Sequence, residues 1–157
     1  MILYHGTNID FNEIHLSESR IGKDFGFGFY LTPDKHVATR QAERKVRQMG
    51  DGDSIVQAYF FDDTMLYSLK HLHFDSYTEE WADFILMNRQ HKKPFSVHDY
   101  DIVIGPIADD TVGFQIRRYT NGIINKSQFL EEIKYHEVTI QYFFGTEKSL
   151  ALLRRYE

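Results

Sequence analysis

Two short segments hold residues whose types and spacing could do chemistry together: Tyr4-His5-Gly6-Thr7 near the start, and Lys23-Asp24-Phe25-Gly26-Phe27-Gly28-Phe29-Tyr30-Leu31-Thr32. The first sets an imidazole after a short apolar run. The second sets a phenol after a turn punctuated by glycines, which permit positive φ or a close backbone approach. An imidazole and an aromatic face can hold a flat ring and hydrogen-bond a polar group beside it.

Other chemistries find less support. The chain has no cysteine, which removes disulfides, thiolate-bound zinc and thiol nucleophiles. His71-Leu72-His73 has the parity of a metal pair on a strand face, but neither a cysteine nor a spaced third ligand accompanies it, so no metal site is expected. Gly26-Phe27-Gly28 lacks the strand–turn–helix setting of a dinucleotide fingerprint, and no phosphate-cradling loop is present. Lys92-Lys93 with Arg89 reads as a solvated helix end. Asp109-Asp110 reads as a helix cap. Trp81 to Phe84 reads as packing, with Asp83 its member best placed to reach a site.

The elements that must position these residues follow from pattern. A chain of 157 residues with 13 Phe and 10 Tyr suits one packed β-rich or α+β domain rather than disorder. Ile2 to Tyr4 reads as a buried strand and residues 8–28 as mostly loop. Thr32 reads as an N-cap with Pro33 at the first helical position. The helix that follows runs to about Met49, with Val37, Ala38, Ala42, Val46 and Met49 on one face and Gly50 ending it. Ile55 to Phe61 is a strand. Ser76 to Glu79 forms a capping box before a helix to about Arg89. Asp101 to Ile104 is a buried strand, with helices near 110–120 and 126–135. Glu137 to Phe144 alternates as a strand, and Thr146 caps a terminal helix carrying Leu150 and Leu153. The mixed order, without a βαβ rhythm, points to α+β.

Four pieces carry a resemblance: Tyr4-His5-Gly6-Thr7, Asp24 to Thr32, Tyr100-Asp101-Ile102-Val103-Ile104-Gly105-Pro106, and Gln141-Tyr142-Phe143-Phe144-Gly145-Thr146. In this order and from end to end, the chain resembles the ADP-ribosyltransferase superfamily, which contains diphtheria toxin and the poly(ADP-ribose) polymerases. It looks closest to a bacterial branch filed as domain-of-unknown-function family 3990. The resemblance implies a split β-sheet around an NAD cleft with flanking helices. It implies NAD as co-substrate, with no metal. Cleavage of the nicotinamide–ribose bond gives an oxocarbenium-like sugar and a neutral leaving group, so the enzyme must mainly hold the ring, orient the ribose and stabilise the cation.

Carried over, His5 binds a ribose hydroxyl, the Gly6 backbone grips the nicotinamide amide, and Tyr30 packs against the ring. Thr7, Gly28 and Phe29 accompany them in the dinucleotide site. Arg20 and Lys23 are candidates for the phosphates. His5, Tyr30 and Gln141 form the expected catalytic set. Gln141 stands where the superfamily usually has glutamate, which fits single transfer better than chain elongation. Glu137 is its rival, on the same strand face but roughly 13 Å away; Thr139, between them, is a candidate to position the acceptor. The helix after Tyr30 offers Ala38, Gln41 and Ala42 where many relatives place a second aromatic, leaving Phe25 or Phe27 to form the other wall of the slot.

The expected function is therefore mono-ADP-ribosylation of a macromolecular acceptor. The alternatives are a module that binds NAD or ADP-ribose without turnover, and a transferase directed at nucleic acid. A net charge of −5, from 18 basic and 23 acidic residues, favours a protein acceptor over a phosphate backbone while leaving room for a local basic patch. The start shows no signal-peptide pattern and no apolar membrane run, so a cytoplasmic location is expected, or export without a signal peptide. Family likeness adds a bacterial toxin role with an antitoxin or immunity protein as partner.

Overall fold

The first strand is longer than its apolar start suggests. β1 runs Ile2–Thr7, so His5, Gly6 and Thr7 lie within it rather than after it. Gly6 allows this, because a Cβ there would stand 2.1 Å from the Ala38 carbonyl oxygen and 2.7 Å from the Ala42 nitrogen. The strand can therefore press directly onto the helix α1 (Lys35–Met49), and only glycine permits that approach. The structure is a computed structural model and describes residues 1–157.

The fold is α+β, with two sheets and several helices. β1, β3 (Ile55–Phe61) and β7 (Leu153–Tyr156) form an antiparallel sheet in the order β1-β3-β7. β2 (Phe29–Leu31), β6 (Ile140–Phe144), β5 (Ile102–Pro106) and β4 (His71–His73) form the second in the order β2-β6-β5-β4, with only β4 and β5 parallel. One antiparallel bridge, Tyr4 to Thr32, connects the sheets.

Two apolar clusters fill the layers. Leu3, Tyr59 and Phe61 of the three-stranded sheet meet Leu31, Ile102, Ile104 and Phe144 of the four-stranded one. The opposite face of the four-stranded sheet, with Val103 and Phe143, packs against α2 (Glu79–Gln90), α3 (Asp110–Thr120) and α4 (Lys126–Ile133) through Trp81, Ile85, Val112, Ile116 and Phe129. Helix α1 covers the free side of β1 with Val37, Ala38 and Ala42. It ends at Gly50, whose φ of 66° is left-handed.

Several boundaries differ from the sequence expectation. Thr32 does not cap α1, because its N–H and C=O pair with Tyr4 and hold it extended; Asp34 caps instead, accepting from the His36 N–H. Thr78, not Ser76, caps α2. β6 begins at Ile140, so Glu137 and Val138 precede it and are exposed. The terminal helix α5 is only Glu147–Leu150, and Leu153 opens β7. That last strand is drawn across β3 by ladder pairing and by the Arg155–Asp10 ion pair at 3.0 Å. No helix is long and apolar enough to cross a membrane.

Candidate functional site

The bridge between Tyr4 and Thr32 marks where β1 and β2 begin to part. Both residues exchange backbone hydrogen bonds there, at 2.7 and 2.9 Å. In an antiparallel ladder the next such pair would be Gly6 with Tyr30. It is not made. The His5 imidazole stands in for it: Nδ1 lies 2.8 Å from the Tyr30 carbonyl oxygen. A carbonyl only accepts, so Nδ1 carries the proton and Nε2 presents a lone pair. The alternation that turns Tyr4 toward β2 also turns the Gly6 N–H and C=O into this seam. There they form a donor and acceptor side by side, without a strand partner.

The imidazole is held in place by rings. It stacks on Phe29 with centroids 4.4 Å apart and meets the edge of Phe11 at 5.8 Å. Burial, reinforced by the neighbouring Lys45 ammonium, lowers its pKa to about 3, so His5 is neutral at physiological pH. Lys45 reaches the seam from α1, with Nζ 3.4 Å from His5 Nε2. Burial first, and then Arg20 and Lys23, bring the Lys45 pKa down to about 8.

Tyr30 occupies the other side of β2. Its hydroxyl donates to the Gly26 carbonyl at 2.7 Å and accepts from the Phe25 N–H at 3.1 Å. Its ring meets Phe143 edge-on at 5.3 Å. Burial pushes the phenol pKa up, so Tyr30 contributes a ring face and not a proton. The Lys23 ammonium lies 5.1 Å from the ring centroid. Burial, and then its cationic neighbours Arg20, Arg89 and Arg44, lower the Lys23 pKa against the opposing effect of Asp24.

Gln141 sits on the face of the four-stranded sheet that carries Tyr30. Register places Phe143 opposite Tyr30 and Gly105 opposite Gln141. Gln141 and Tyr30 are thus diagonal neighbours, roughly 7–8 Å apart. Gln141 is buried, and its carboxamide makes no hydrogen bond within the protein. The structure therefore does not bring the three expected catalytic side chains together: Tyr30 and Gln141 share one face of the four-stranded sheet, and His5 lies on the other. His5 contacts the Tyr30 backbone and stacks on the face of β2 opposite the phenol.

The remaining expected residues divide. Phe29 lies against His5. The Thr7 hydroxyl is turned to the Ile9 carbonyl at 3.0 Å. Gly28 serves packing, since a Cβ there would meet the Phe143 ring at 2.3 Å. Arg20 is exposed and faces Lys23 and Lys45 electrostatically. Phe25 does not wall the slot: it is fully buried among Phe74 and Phe84. Nor does Phe27, which lines a shallow cleft with Ser96 and His91. Lys23 covers the Tyr30 face instead. Glu137 lies before β6 and is exposed, so it does not share a strand face with Gln141. Asp83 pairs with Lys126 at 2.8 Å, away from the seam.

Two features escaped the sequence reading. Lys45 had a legible signal: it falls on the same helical stripe as Ala38 and Ala42, a lysine on an otherwise buried face. Arg89 is not a solvated helix end: it donates to Asp24 at 2.6 Å and pins the loop that delivers Tyr30. His98 and Ser96 clamp the same loop, at Phe25 and Phe27.

One family model matches residues 1–155; its description is "Protein of unknown function (DUF3990)". No curated protein and no solved structure matches the chain.

Proposed function

The chain belongs to the DUF3990 family; we propose that it is an NAD-dependent mono-ADP-ribosyltransferase, with the split-sheet fold of that superfamily and NAD bound along the β1–β2 seam. One observation carries the reading. The strands part after a single bridge and leave the Gly6 amide and carbonyl unpaired beside a neutral imidazole. A primary carboxamide such as that of nicotinamide offers the complementary donor and acceptor.

The residues then take distinct roles. Gly6 pairs with the carboxamide. His5 Nε2 accepts a hydrogen bond from a ribose hydroxyl once Lys45 moves aside. The Tyr30 face takes the cationic ring in the place that the Lys23 ammonium now holds. Arg20, Lys23 and Lys45 form a cationic group for the diphosphate, and none of the three has a carboxylate ion-pair partner. Gln141 hydrogen-bonds the sugar as positive charge develops at its anomeric carbon. Nicotinamide leaves neutral with the bonding electron pair, and the acceptor nucleophile attacks the cation.

The test is incubation with NAD labelled in the nicotinamide ring, with released nicotinamide measured alone and with cell lysate. Release that is abolished by His5→Ala supports the proposal; neither binding nor release overturns it. A second reading, an NAD- or ADP-ribose-binding module, draws on the uncharged Gln141. Calorimetric binding without any release would select it.

A further inference from the structure

The protein carries a net charge of −5, but α1 does not share it. Residues 35–49 hold Lys35, Arg40, Arg44, Lys45 and Arg47 against Glu43 alone, a local charge of +4, which leaves −9 on the rest of the chain. Arg40, Arg44 and Arg47 follow i, i+4, i+7 spacing and so share one stripe, and all three are exposed. Arg40 and Arg47 have no carboxylate partner. Arg44 shares an exposed contact of 3.2 Å with Asp110. Glu43, one turn before Arg47, borders the stripe.

Asp110 opens α3 and brings that helix alongside. One turn further on, Phe114 is half exposed, with the Arg118 guanidinium 5.8 Å from its ring centroid and Arg117 exposed beside it. At the edge of the stripe Arg44 lies within electrostatic reach of Lys23, which with Arg20 neighbours Lys45 on the seam-facing side of α1. Unpaired cations at this density repel one another and lower the cost of bringing in an external polyanion. Guanidiniums in a row beside an exposed ring match one ligand class: single strands, whose phosphates follow the cations while a base stacks on the ring. An acidic protein would use the cations but has no need of the Phe114 face.

We propose that the outer face of α1, with Phe114 of α3, binds single-stranded nucleic acid and presents it to the seam as the acceptor. This reverses, for this surface, the preference for a protein acceptor drawn from net charge. The acceptor role rests on the transferase reading above; the binding role does not. In the transfer, a nucleophilic nitrogen or oxygen of the strand bonds to the anomeric carbon as the bond to nicotinamide breaks. Nicotinamide departs with the electron pair and the nucleophile's proton passes to water.

The experiment is fluorescence anisotropy without NAD, using fluorescein-labelled 16-nucleotide single strands, DNA in one arm and RNA in the other, across 25–300 mM KCl. Three to four phosphate contacts give a slope of log K against log salt of about −2 to −3. Arg40→Glu with Arg47→Glu should cut that slope by about 1.4 and weaken binding at low salt at least tenfold, with an unchanged melting temperature. If the reversal perturbs folding, Arg40→Gln with Arg47→Gln provides the same reading. Phe114→Ala should weaken binding fivefold or more with the slope intact. Salt-independent or absent binding, or binding that the arginine variants leave unchanged, overturns the proposal. So does labelled NAD in lysate yielding only protease-sensitive, nuclease-resistant product, which would assign the face to an acidic protein. Strand binding without any release of nicotinamide would sink the transferase reading alone.

Discussion

Acidification should loosen the seam through His5. The folded imidazole has a pKa of about 3, against an ordinary 6.5 when unfolded. Because the folded value is the lower one, the unfolded chain binds the extra proton between these limits. The stabilisation is therefore complete above pH 6.5 and is lost as pH falls toward 3. From pH 7.5 to 4.5 the chain crosses two decades below the unfolded pKa, at about 1.36 kcal/mol each, for a loss of about 2.7 kcal/mol. In a domain of this size that amounts to roughly 5–11 °C in melting temperature. The assay is urea unfolding followed by the fluorescence of Trp81, the only tryptophan and fully buried, at both pH values. His5→Gln, which keeps a donor but does not titrate, is the reference. Other titrating groups, including His98 with its own lowered pKa, are common to both proteins and cancel. The stability difference between wild type and variant should shrink by about 2.7 kcal/mol on acidification. A difference that stays constant would mean that His5 titrates normally and that the neutral, Nδ1-protonated seam is wrong.

Three further outcomes are expected. Lys45 loses its charge as pH rises through about 8, so NAD binding should weaken above that pH; Lys45→Met should flatten the profile and cost about tenfold in affinity by calorimetry, the scale of one charge-assisted hydrogen bond, and an unchanged profile would remove Lys45 from the phosphates. Gln141→Ala should lower nicotinamide release about a hundredfold, the scale of one transition-state hydrogen bond, while the melting temperature holds, because the carboxamide makes no hydrogen bond within the fold; full activity would exclude it from the chemistry. Gly6→Ala drives a Cβ to within 2.1 Å of the Ala38 backbone and should cost about 3 kcal/mol or more in stability; circular dichroism showing an unshifted melt would contradict the packing of α1 on β1.

Much of this architecture could be read along the chain, because local pattern encodes it. Apolar periodicity and a left-handed stop at Gly50 set the end of α1, alternation set β3, and Asp109 announced the start of α3. The types of residue able to grip a ring and a sugar, His5, Gly6, Tyr30 and Gln141, were also visible. Pairing was not. Whether Thr32 caps a helix or joins a strand depends on Tyr4, twenty-eight positions away in sequence and hydrogen-bonded in space. Whether Leu153 continues a helix or opens β7 depends on β3 and Asp10. The same holds for the site. Lys45 beside His5, Lys23 over Tyr30 and Arg89 on Asp24 are contacts between segments whose separation in the chain carries no record of their meeting. Residue type fixes what a side chain can do, whereas the parting of two strands fixes which backbone groups are left unpaired and which charges must share the space beside them.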